Sequence, residues 1–458
     1  MRLHTKSILI SLLAGACAMP AFALGCAQHD PSSTSGGPPA TSATLAPNAA
    51  APAPPASNSS TDGPSDEDSE TTPREKFEGG AKAFAHMKDA LLKSYFVDGD
   101  GSGTRSEPSE NDLYRAAVQG MLEHVDPKMR RWNKLLSPND LAEMRRDLKG
   151  ELVGVGVQIK FDRDTGYTDV LGLVPGSPAE KAGIVAGDLI VSVNGKLYKG
   201  MALIDVVKDI RGKAGDKVTL TVLRGDKLVS IAIMREVLSY DAVSTFSTAD
   251  GLGYVRIRSF NEKTVGMLKA ALTELGNKGA KALVLDLRDN QGGLFDAAVS
   301  SAELLLQPGT GIVTLKKRGQ KDEAFTAKGA PLLVGLPMAV MVDGQTSSGA
   351  ELLTAALQEG RHATVVGVRT FGKWSLQSVD DELGNGYAAK YTIGRFQSPA
   401  GRSFQGVGLT PDVEVTMDDK AAHKAMTIVD PEKRLAADAQ LRTAATMVRA
   451  KIQNGGQP

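Results

Sequence analysis

The feature that most constrains the fold is a series of short apolar segments that alternate with longer segments of helical periodicity. The segments predicted to be strands are 254–257, 282–287, 338–342 and 363–368, and the apolar composition of 282–287 and 338–342 indicates that these two are buried. The segments with the apolar spacing of helices are 264–275, 297–306 and 350–358. Because strands that alternate with helices usually form one sheet covered by those helices, residues 253–415 are predicted to adopt an α/β layer fold.

Two turns that follow predicted strands carry groups suited to acyl transfer. Gly292 and Gly293 expose backbone N–H groups without side-chain shielding, which suits an oxyanion hole. Ser348 precedes a predicted helix, where free N–H groups and the helix dipole favour a developing negative charge. Simpler roles are open to each residue: the glycines could form only a tight turn, and Ser348 with Glu351, or else Ser347, could only cap the helix.

A third stretch, residues 370–377, carries an amine that could serve as a base. A serine hydroxyl is a weak nucleophile until a base takes its proton. Lys373 can take it only if burial lowers the lysine pKa by several units from about 10.4. The residues predicted to supply that apolar setting are Phe371, Trp374 and Leu376. Gln377, four residues further on, can orient the amine without adding a charge. The alternative is an ordinary solvated lysine.

Ahead of this region, residues 149–237 change to short β-rich segments separated by glycines. The phrases Gly187-Asp188-Leu189-Ile190 and Val193-Asn194-Gly195, with the order of strands and helices around them, resemble a PDZ domain. In such domains a glycine-rich loop offers N–H groups to the C-terminal carboxylate of a peptide, which adds as a strand. The residues that match this loop are Gly154, Val155, Gly156 and Val157. The alternative is a structural turn in a small β-barrel.

Taken together, these motifs resemble the C-terminal processing (tail-specific) serine peptidases over roughly residues 75–420. The resemblance implies a crotonase-like α/β protease core at 238–420, with a mostly β PDZ domain inserted ahead of it. It places the nucleophile on Ser348, the general base on Lys373 and the supporting glutamine on Gln377. It implies an oxyanion hole formed by the N–H of Gly349 and that of Gly292 or Gly293.

The chain departs from the family pattern at a few positions. The nucleophile is followed by Gly349 and preceded, three residues earlier, by Gln345, and Trp374 follows the lysine where the family often has glycine. The strand turn contains D-N-Q-G-G. None of these changes removes a reacting group, so they bear on sequence preference and loop geometry. They also keep open a second hypothesis, a non-catalytic PDZ-containing binding protein derived from the family.

The N-terminus has the features of an export signal, predicted as residues 1–25. Arg2 and Lys6 precede a short apolar segment, and Ala21-Phe22-Ala23 is typical of a cleavage site. Ala23-Leu24-Gly25-Cys26 also resembles a lipobox, which predicts that Cys26 is lipidated; simple secretion with a free thiol is the alternative. The protein is therefore predicted to be exported, as a periplasmic protein or a membrane-anchored lipoprotein of a bacterium.

A proline-rich linker and a helical segment follow the signal. Residues 26–73 contain nine of the 22 prolines among small polar residues, and such a composition predicts a disordered linker. Residues 74–148 are predicted to contain three helices, at 74–97, 110–125 and 137–149. The loop 98–103 begins like a calcium-binding loop, but its twelfth position is Ser109 rather than Glu, which favours a solvated turn.

Composition excludes several other classes of function. The only cysteines are Cys17 and Cys26, so the body of the chain has no disulfide, no cysteine nucleophile and no cysteine-ligated metal. With 53 basic and 53 acidic residues, the chain lacks the positive surplus of a nucleic-acid binder. A Ser-His-Asp triad is disfavoured because His362 is the only histidine of the α/β region.

The sequence therefore predicts an exported serine endopeptidase that needs no cofactor or metal. Its predicted partners are protein or peptide substrates with free C-termini, and a membrane reached through the N-terminal lipid. The tail, residues 421–458, is predicted to contain one helix from 431 to 453 that packs either on the core or on a second copy in a homo-oligomer.

Overall fold

The computed structural model of the chain describes residues 8–11, 79–95, 109–126, 129, 131–162 and 165–453. The chain divides into one unit formed by residues 1–17 and 114–458 and a second formed by residues 18–113. The second unit contains helix α1, Gly80–Ser94, and the start of helix α2, Glu110–Val125. Both helices agree with prediction, although part of the predicted range of α1 is outside the described residues.

Several predicted features lie outside the described residues: the cleavage site, Cys26, the linker and the calcium-like loop. Within the described ranges, no group of three His, Cys, Asp or Glu side chains is arranged to hold a metal ion. In the same part of the chain, no helix is both long and apolar enough to cross a membrane.

Helix α3, Pro138–Leu148, begins where the sequence predicts. Ser137 caps it: its side chain accepts from the Asp140 N–H, and its own N–H donates to the Asp140 carboxylate, both at 3.2 Å. Pro138 at the first helical position reinforces this start. The buried face of α3 packs beside strand β2, Lys134–Leu136, which follows β1, Ile8–Ser11, in chain order.

The PDZ region is a small β-structure with two short helices. Its elements are β3 Glu151–Gly154, β4 Val157–Phe161, β5 Thr168–Leu173, α4 Pro178–Lys181, β6 Leu189–Val193, β7 Lys196–Leu197, α5 Leu203–Ile210, β8 Lys217–Arg224, β9 Lys227–Met234 and β10 Glu236–Ser239. The sheet order is β4-β5-β6-β8-β9, with β7 on β6, and β3 pairs separately with β10. Alternate residues of β8, among them Val218, Leu220 and Val222, are buried in its core, as period-2 patterning requires.

The α/β region has two sheets. Its elements are β11 Val243–Ser247, β12 Leu252–Ile257, α6 Thr264–Asn277, β13 Ala282–Asp286, β14 Gly293–Leu294, α7 Phe295–Glu303, β15 Gly311–Lys317, β16 Glu323–Thr326, β17 Met338–Val342, α8 Gly349–Arg361, β18 Thr364–Gly367, β19 Ser375–Asp380, β20 Ala388–Gln397 and β21 Val413–Glu414. The central sheet has the order β11-β12-β13-β17-β18-β21 and is parallel from β12 to β21. This confirms the predicted α/β fold.

Both faces of the central sheet are buried, which explains its continuous apolar strands. Leu283, Leu285 and Val340 point towards the layer that contains α6, α7 and α8. Val284 and Met341, which alternate with them, point to the opposite face, against the C-terminal helix. The strands 282–286 and 338–342 therefore contribute side chains to the hydrophobic cores on both sides of the sheet.

The prediction of a single helix over residues 431–453 is wrong, because the structure divides that range into two helices. A third helix precedes them in the described part of the tail. The helices are α9 Asp419–Thr427, α10 Pro431–Ala437 and α11 Ala439–Gln453. Asp438 has extended backbone between α10 and α11, and its buried carboxylate accepts from Arg288, whose guanidinium also pairs with Asp286. The tail therefore packs on the protease core through a buried ionic network as well as through apolar contacts.

The second sheet runs β14-β1-β19-β20-β15-β16, and β2 pairs with β20. Strand β1, which belongs to the predicted export signal, was not predicted as a strand of the protease sheet. It pairs antiparallel with β14 on one side and with β19 on the other. The space between β14 and β19 is thus the width of one extended strand.

Candidate active site

The turn between β17 and α8 holds two adjacent serines in different environments. The Ser347 hydroxyl donates to the Gln291 carbonyl at 2.9 Å, and its N–H donates to the Asn290 carbonyl at 2.9 Å. Ser348 is buried, and its Oγ has no hydrogen-bond partner among the described residues, Lys373 included. Ser347 therefore fixes the turn, whereas Ser348 carries the available hydroxyl.

The backbone of Ser348 is strained, with φ 57° and ψ −118°. A non-glycine residue in this region costs on the order of 1–3 kcal/mol, which the surrounding contacts must offset. The predicted capping box is half formed, because the Ser348 N–H donates to Glu351 at 2.9 Å while the serine side chain caps nothing. The bond between the Ser348 N–H and the Glu351 carboxylate is thus formed at the start of α8, and the Ser348 hydroxyl takes no part in capping.

Gly292 lies against the turn that carries Ser348 so closely that no larger residue fits. A Cβ built on Gly292 would stand 2.8 Å from Ser348 Cβ and 3.0 Å from Gly349 N, and its φ is +96°. The Gly292 N–H itself donates to Asn290 Oδ1 at 2.9 Å. Of the predicted oxyanion donors, this leaves the N–H groups of Gly293 and Gly349, since Gly349 is the first residue of α8.

Glu351 joins the serine turn to the lysine loop, a role that its capping motif did not predict. Oxygen Oε2 accepts from the backbone N–H groups of Ser348 at 2.9 Å and Lys373 at 2.8 Å. Oxygen Oε1 accepts from Gly372 N at 2.7 Å and Thr370 Oγ1 at 2.5 Å. Because both backbone nitrogens donate to the same oxygen, the nitrogens of Ser348 and Lys373 are at most about 5.7 Å apart. One buried carboxylate therefore brings together two residues that are 25 positions apart in the sequence.

The side chain of Lys373 is buried, with 1% of its surface exposed. Burial lowers the pKa of its ammonium well below the usual value, the positive charge of Lys390 lowers it further, and Glu351 opposes both effects. Its Nζ lies 4.7 Å from the centre of the Trp132 ring. These surroundings favour the neutral amine that a general base requires.

The source of this apolar setting corrects one prediction. Trp374 and Leu376 are packed in the main hydrophobic core, where the Trp374 ring contacts Phe396 and Phe404. Trp132, about 240 positions earlier, is the aromatic partner of Lys373. Phe371 packs on Trp132 in an edge-to-face arrangement, with the two ring centres 5.9 Å apart. Trp374 and Leu376 therefore belong to a different core, although they are close to Lys373 in sequence.

Gln377 lies near the same aromatic side chain. Its Nε2 donates to the Trp132 carbonyl at 3.2 Å, and its buried Oε1 has no partner among the described residues. A buried unpaired amide oxygen is costly unless a donor reaches it. The geometry therefore leaves an unpaired acceptor on a side chain that contacts Trp132, the residue whose ring also lies against Lys373.

The strand slot between β14 and β19 leads to this site. In the structure Ile8–Ser11 fills it, with Ser11 opposite Gly293 and Ile10 opposite Gln377. The slot thus places an extended backbone beside a candidate oxyanion donor on one side and, on the other, beside β19, which begins two residues after Lys373.

A second candidate site lies in the PDZ region. The loop 154–157 lines a cavity of about 690 Å³ whose walls include Val207 and Ile210 of α5 and Arg258 of the core. The carbonyls of Val155 and Gly156 are bonded to Ala179 N and Val174 N, whereas no backbone bond from their own N–H groups is formed within the described part of the chain. The loop therefore lines the cavity with N–H groups that are not used in backbone bonds in that part of the chain.

Comparisons with known proteins agree with this architecture. Residues 251–415 match the model of peptidase family S41, and residues 170–224 match the model of the PDZ domain. The chain is 34% identical over 335 residues to a carboxy-terminal-processing protease of Bartonella bacilliformis, an alignment that covers 72% of this chain and 75% of that protein.

Two further relatives are also named as C-terminal processing enzymes. A chloroplastic C-terminal processing peptidase of Tetradesmus obliquus is 35% identical over 318 residues, covering 65% of this chain and 67% of its own. The solved structure of a photosystem II D1 C-terminal processing protease aligns with a TM-score of 0.50 at 29% identity, covering 79% of this chain and 97% of that one. The chain therefore belongs to peptidase family S41 and is a carboxy-terminal-processing protease with a PDZ domain ahead of its protease core.

Proposed function

We propose that this protease is an exported serine endopeptidase that binds substrate C-termini at its PDZ loop and cleaves them with a Ser348–Lys373 dyad. The observation that carries the proposal is the shared acceptor Glu351 Oε2, which holds the backbone of both residues. A free hydroxyl and a buried amine with a lowered pKa meet the two chemical requirements of the dyad.

The reaction has two stages. Lys373 Nζ takes the Ser348 proton as Oγ attacks the peptide carbonyl carbon, and the resulting oxyanion is held by the N–H groups of Gly349 and Gly293. Each such donor is typically worth about 3 kcal/mol in the transition state. The C–N bond then breaks, and the leaving amine takes the proton from Lys373. Water next attacks the acyl group, Lys373 takes its proton, and Ser348 Oγ leaves with that proton.

Gln377 has the supporting role in this scheme. Its unpaired Oε1 can accept from the Lys373 ammonium during each stage, and its Nε2 is already held by Trp132. A closing rotation of the Ser348 or Lys373 side chain completes the dyad, since catalytic hydrogen bonds often tighten only when substrate is bound.

The substrate is held at two places in this proposal. Its C-terminal carboxylate accepts from the loop formed by Gly154, Val155, Gly156 and Val157, while a segment further upstream enters the slot between β14 and β19 as a strand. The main-chain pairing that β1 makes in this slot supports such a binding mode. Removal of residues 1–25 by a signal peptidase would vacate the slot in the mature protein.

Export and anchoring follow from the N-terminal sequence. The basic residues and apolar segment before Ala21-Phe22-Ala23 support export, and Cys26 supports lipidation. As a flexible coil, the linker would allow a root-mean-square reach on the order of 40 Å from a membrane. Mass spectrometry of the mature N-terminus tests this part: an acylated Cys26 supports it, and an unmodified N-terminus at Leu24 overturns the anchoring.

The dyad is tested with variants of the purified protein and an unfolded substrate such as casein. We expect Ser348→Ala and Lys373→Ala each to abolish fragment production while circular dichroism shows a folded protein. Ser347→Ala is the matched control, and its loss of activity should be far smaller because its hydroxyl only holds the turn. Undiminished turnover in either dyad variant would overturn the assignment.

The same assay decides between the enzyme and the non-catalytic binding protein. A binding protein would produce no fragments from casein, with or without added C-terminal peptides, yet would still bind those peptides. We expect fragments, and labelling of Ser348 by a fluorophosphonate probe that Ser348→Ala abolishes.

A further inference from the structure

A second buried lysine lies close to the proposed general base. Lys390 of β20 is only 7% exposed and stands opposite Val379 of β19. The next pair on this face of the ladder is Gln377 with Thr392. Because residues two apart on a strand face the same way, Lys390 leaves the sheet on the face that carries the residue assigned to orient Lys373.

One short segment connects the two lysines across this face. The ring of Trp132 lies 4.7 Å from Lys373 Nζ, and its carbonyl accepts from Gln377. Two residues later, Lys134 is paired in register with Lys390. The segment 132–134 therefore runs from one lysine to the other, so Lys373 and Lys390 belong to one buried cluster.

This cluster has a surplus of positive charge. Among the described residues Lys390 has no carboxylate within ion-pair distance, and the neighbour that faces it across the strand pair is another cation, Lys134. Glu351, the carboxylate that opposes the lowering of the Lys373 pKa, has its oxygens occupied by four donors. Of the other charged groups near these strands, Arg395 pairs with Asp126 and Asp381 pairs with Arg145. Asp380 of β19 is opposite Ala389, next in register to Lys390, so its side chain lies on the other face of the sheet, and Arg131 adds a further positive charge 4.8 Å from the centre of the Trp132 ring.

We propose that Lys390 is a positioning residue that acts through Lys373, its charge keeping that amine unprotonated at neutral pH. This inference rests on the proposed role of Lys373 as general base. Two like charges on the order of 10 Å apart shift a pKa by roughly one unit when the effective dielectric constant is about 20. Burial, with help from Lys134, lowers the pKa of Lys390 to about 8, so Lys390 is still charged at pH 7.

The test is the pH profile of kcat/KM for the full chain with a fluorogenic peptide. Activity requires neutral Lys373, so it falls on the acid side as that amine gains a proton. Lys390→Met removes the charge and keeps an unbranched side chain, and we expect the acid midpoint to rise by about one pH unit. At one unit below the wild-type midpoint activity should then fall about tenfold, while the alkaline plateau stays within about twofold.

Two variants serve as controls. Lys390→Arg keeps the charge and should hold the midpoint within about 0.3 unit of wild type. Lys134→Gln removes one positive charge at an exposed position. The charge of Lys134 affects the pKa of Lys390 rather than that of Lys373, so the acid midpoint of this variant should also shift by no more than about 0.3 unit.

The outcomes separate this inference from the proposed function. An unchanged midpoint in folded Lys390→Met, or an equal loss at every pH in the Met and Arg variants, would overturn the role of Lys390 alone. Full activity in Lys373→Ala would overturn the base itself. If Lys390→Met does not fold, Lys390→Gln is compared in the same way, with the rate of fluorophosphonate labelling at each pH as the measurement.

Discussion

The PDZ loop and the proposed oxyanion hole both contain glycines whose N–H groups are assigned to an anion, yet the two sites are built differently. In the PDZ loop, residues 154–157 are consecutive and face an open cavity of about 690 Å³. In the protease core, Gly293 and Gly349 come from separate turns, and the groups around them are buried. Under the proposed function, one local loop binds a stable carboxylate, whereas the transient oxyanion is held by parts of the chain that must be brought together.

The assembly of the protease site depends on buried charge. Glu351 holds both loops with four hydrogen bonds, and the lysine pocket keeps an amine in a setting where its charge is unfavourable. The PDZ loop needs neither feature, since its contacts are backbone bonds to Val174 and Ala179. The same type of substitution should therefore cost far more activity in the core than in the loop.

Among the substitutions that test this contrast, the largest effect is expected for Gly292→Ala. Its new Cβ would lie 2.8 Å from Ser348 Cβ and 3.0 Å from Gly349 N, on a backbone with φ +96°. The nucleophile and an oxyanion donor must both move, so we expect kcat/KM to fall about 10³-fold. Peptide hydrolysis together with fluorophosphonate labelling measures the loss.

Gly344→Ala is the matched control for that change, because its Cβ would meet nothing closer than Arg369 O at 3.9 Å. It should keep most of the activity. If Gly292→Ala retained wild-type rates, the oxyanion turn would tolerate displacement, and the contrast between the two glycine sites would fail.

A smaller loss, about 10²-fold in kcat, is expected for Glu351→Gln. Glutamine keeps the shape but has only one acceptor oxygen, so its NH₂ must face either the N–H pair of Ser348 and Lys373 or the donors Gly372 and Thr370. Steady-state kinetics measure the loss, and thermal denaturation checks the fold. A variant with unchanged kcat would show that the shared carboxylate does not position the dyad.

The features that the sequence predicted are those that depend on residues close together in the chain. The strands 282–286 and 338–342 were predictable because burial on both faces leaves an unbroken apolar run, and Ser348 and Lys373 were marked by their motifs. Trp132 was not, because a contact across about 240 positions leaves no local signal. The second role of Glu351 was hidden because its spacing from Ser348 already satisfied a capping motif. Strand β1 was missed because its apolar residues also satisfy an export signal.

The smallest effect is expected in the PDZ loop, for Gly156→Ala. The φ of Gly156 is +85°, and its Cβ would stand 2.3 Å from Ser177 Cβ, so the loop must shift. Because the dyad is untouched, we expect about tenfold weaker binding of C-terminal peptides, while hydrolysis of a short blocked peptide stays unchanged.

Gly154→Ala, whose Cβ meets nothing within 4 Å, should bind almost normally. Equal losses in the two variants would mean that close approach of the anion, rather than backbone strain at Gly156, sets the need for glycine. A loss of short-peptide hydrolysis in Gly156→Ala would instead show that the loop and the core do not act separately.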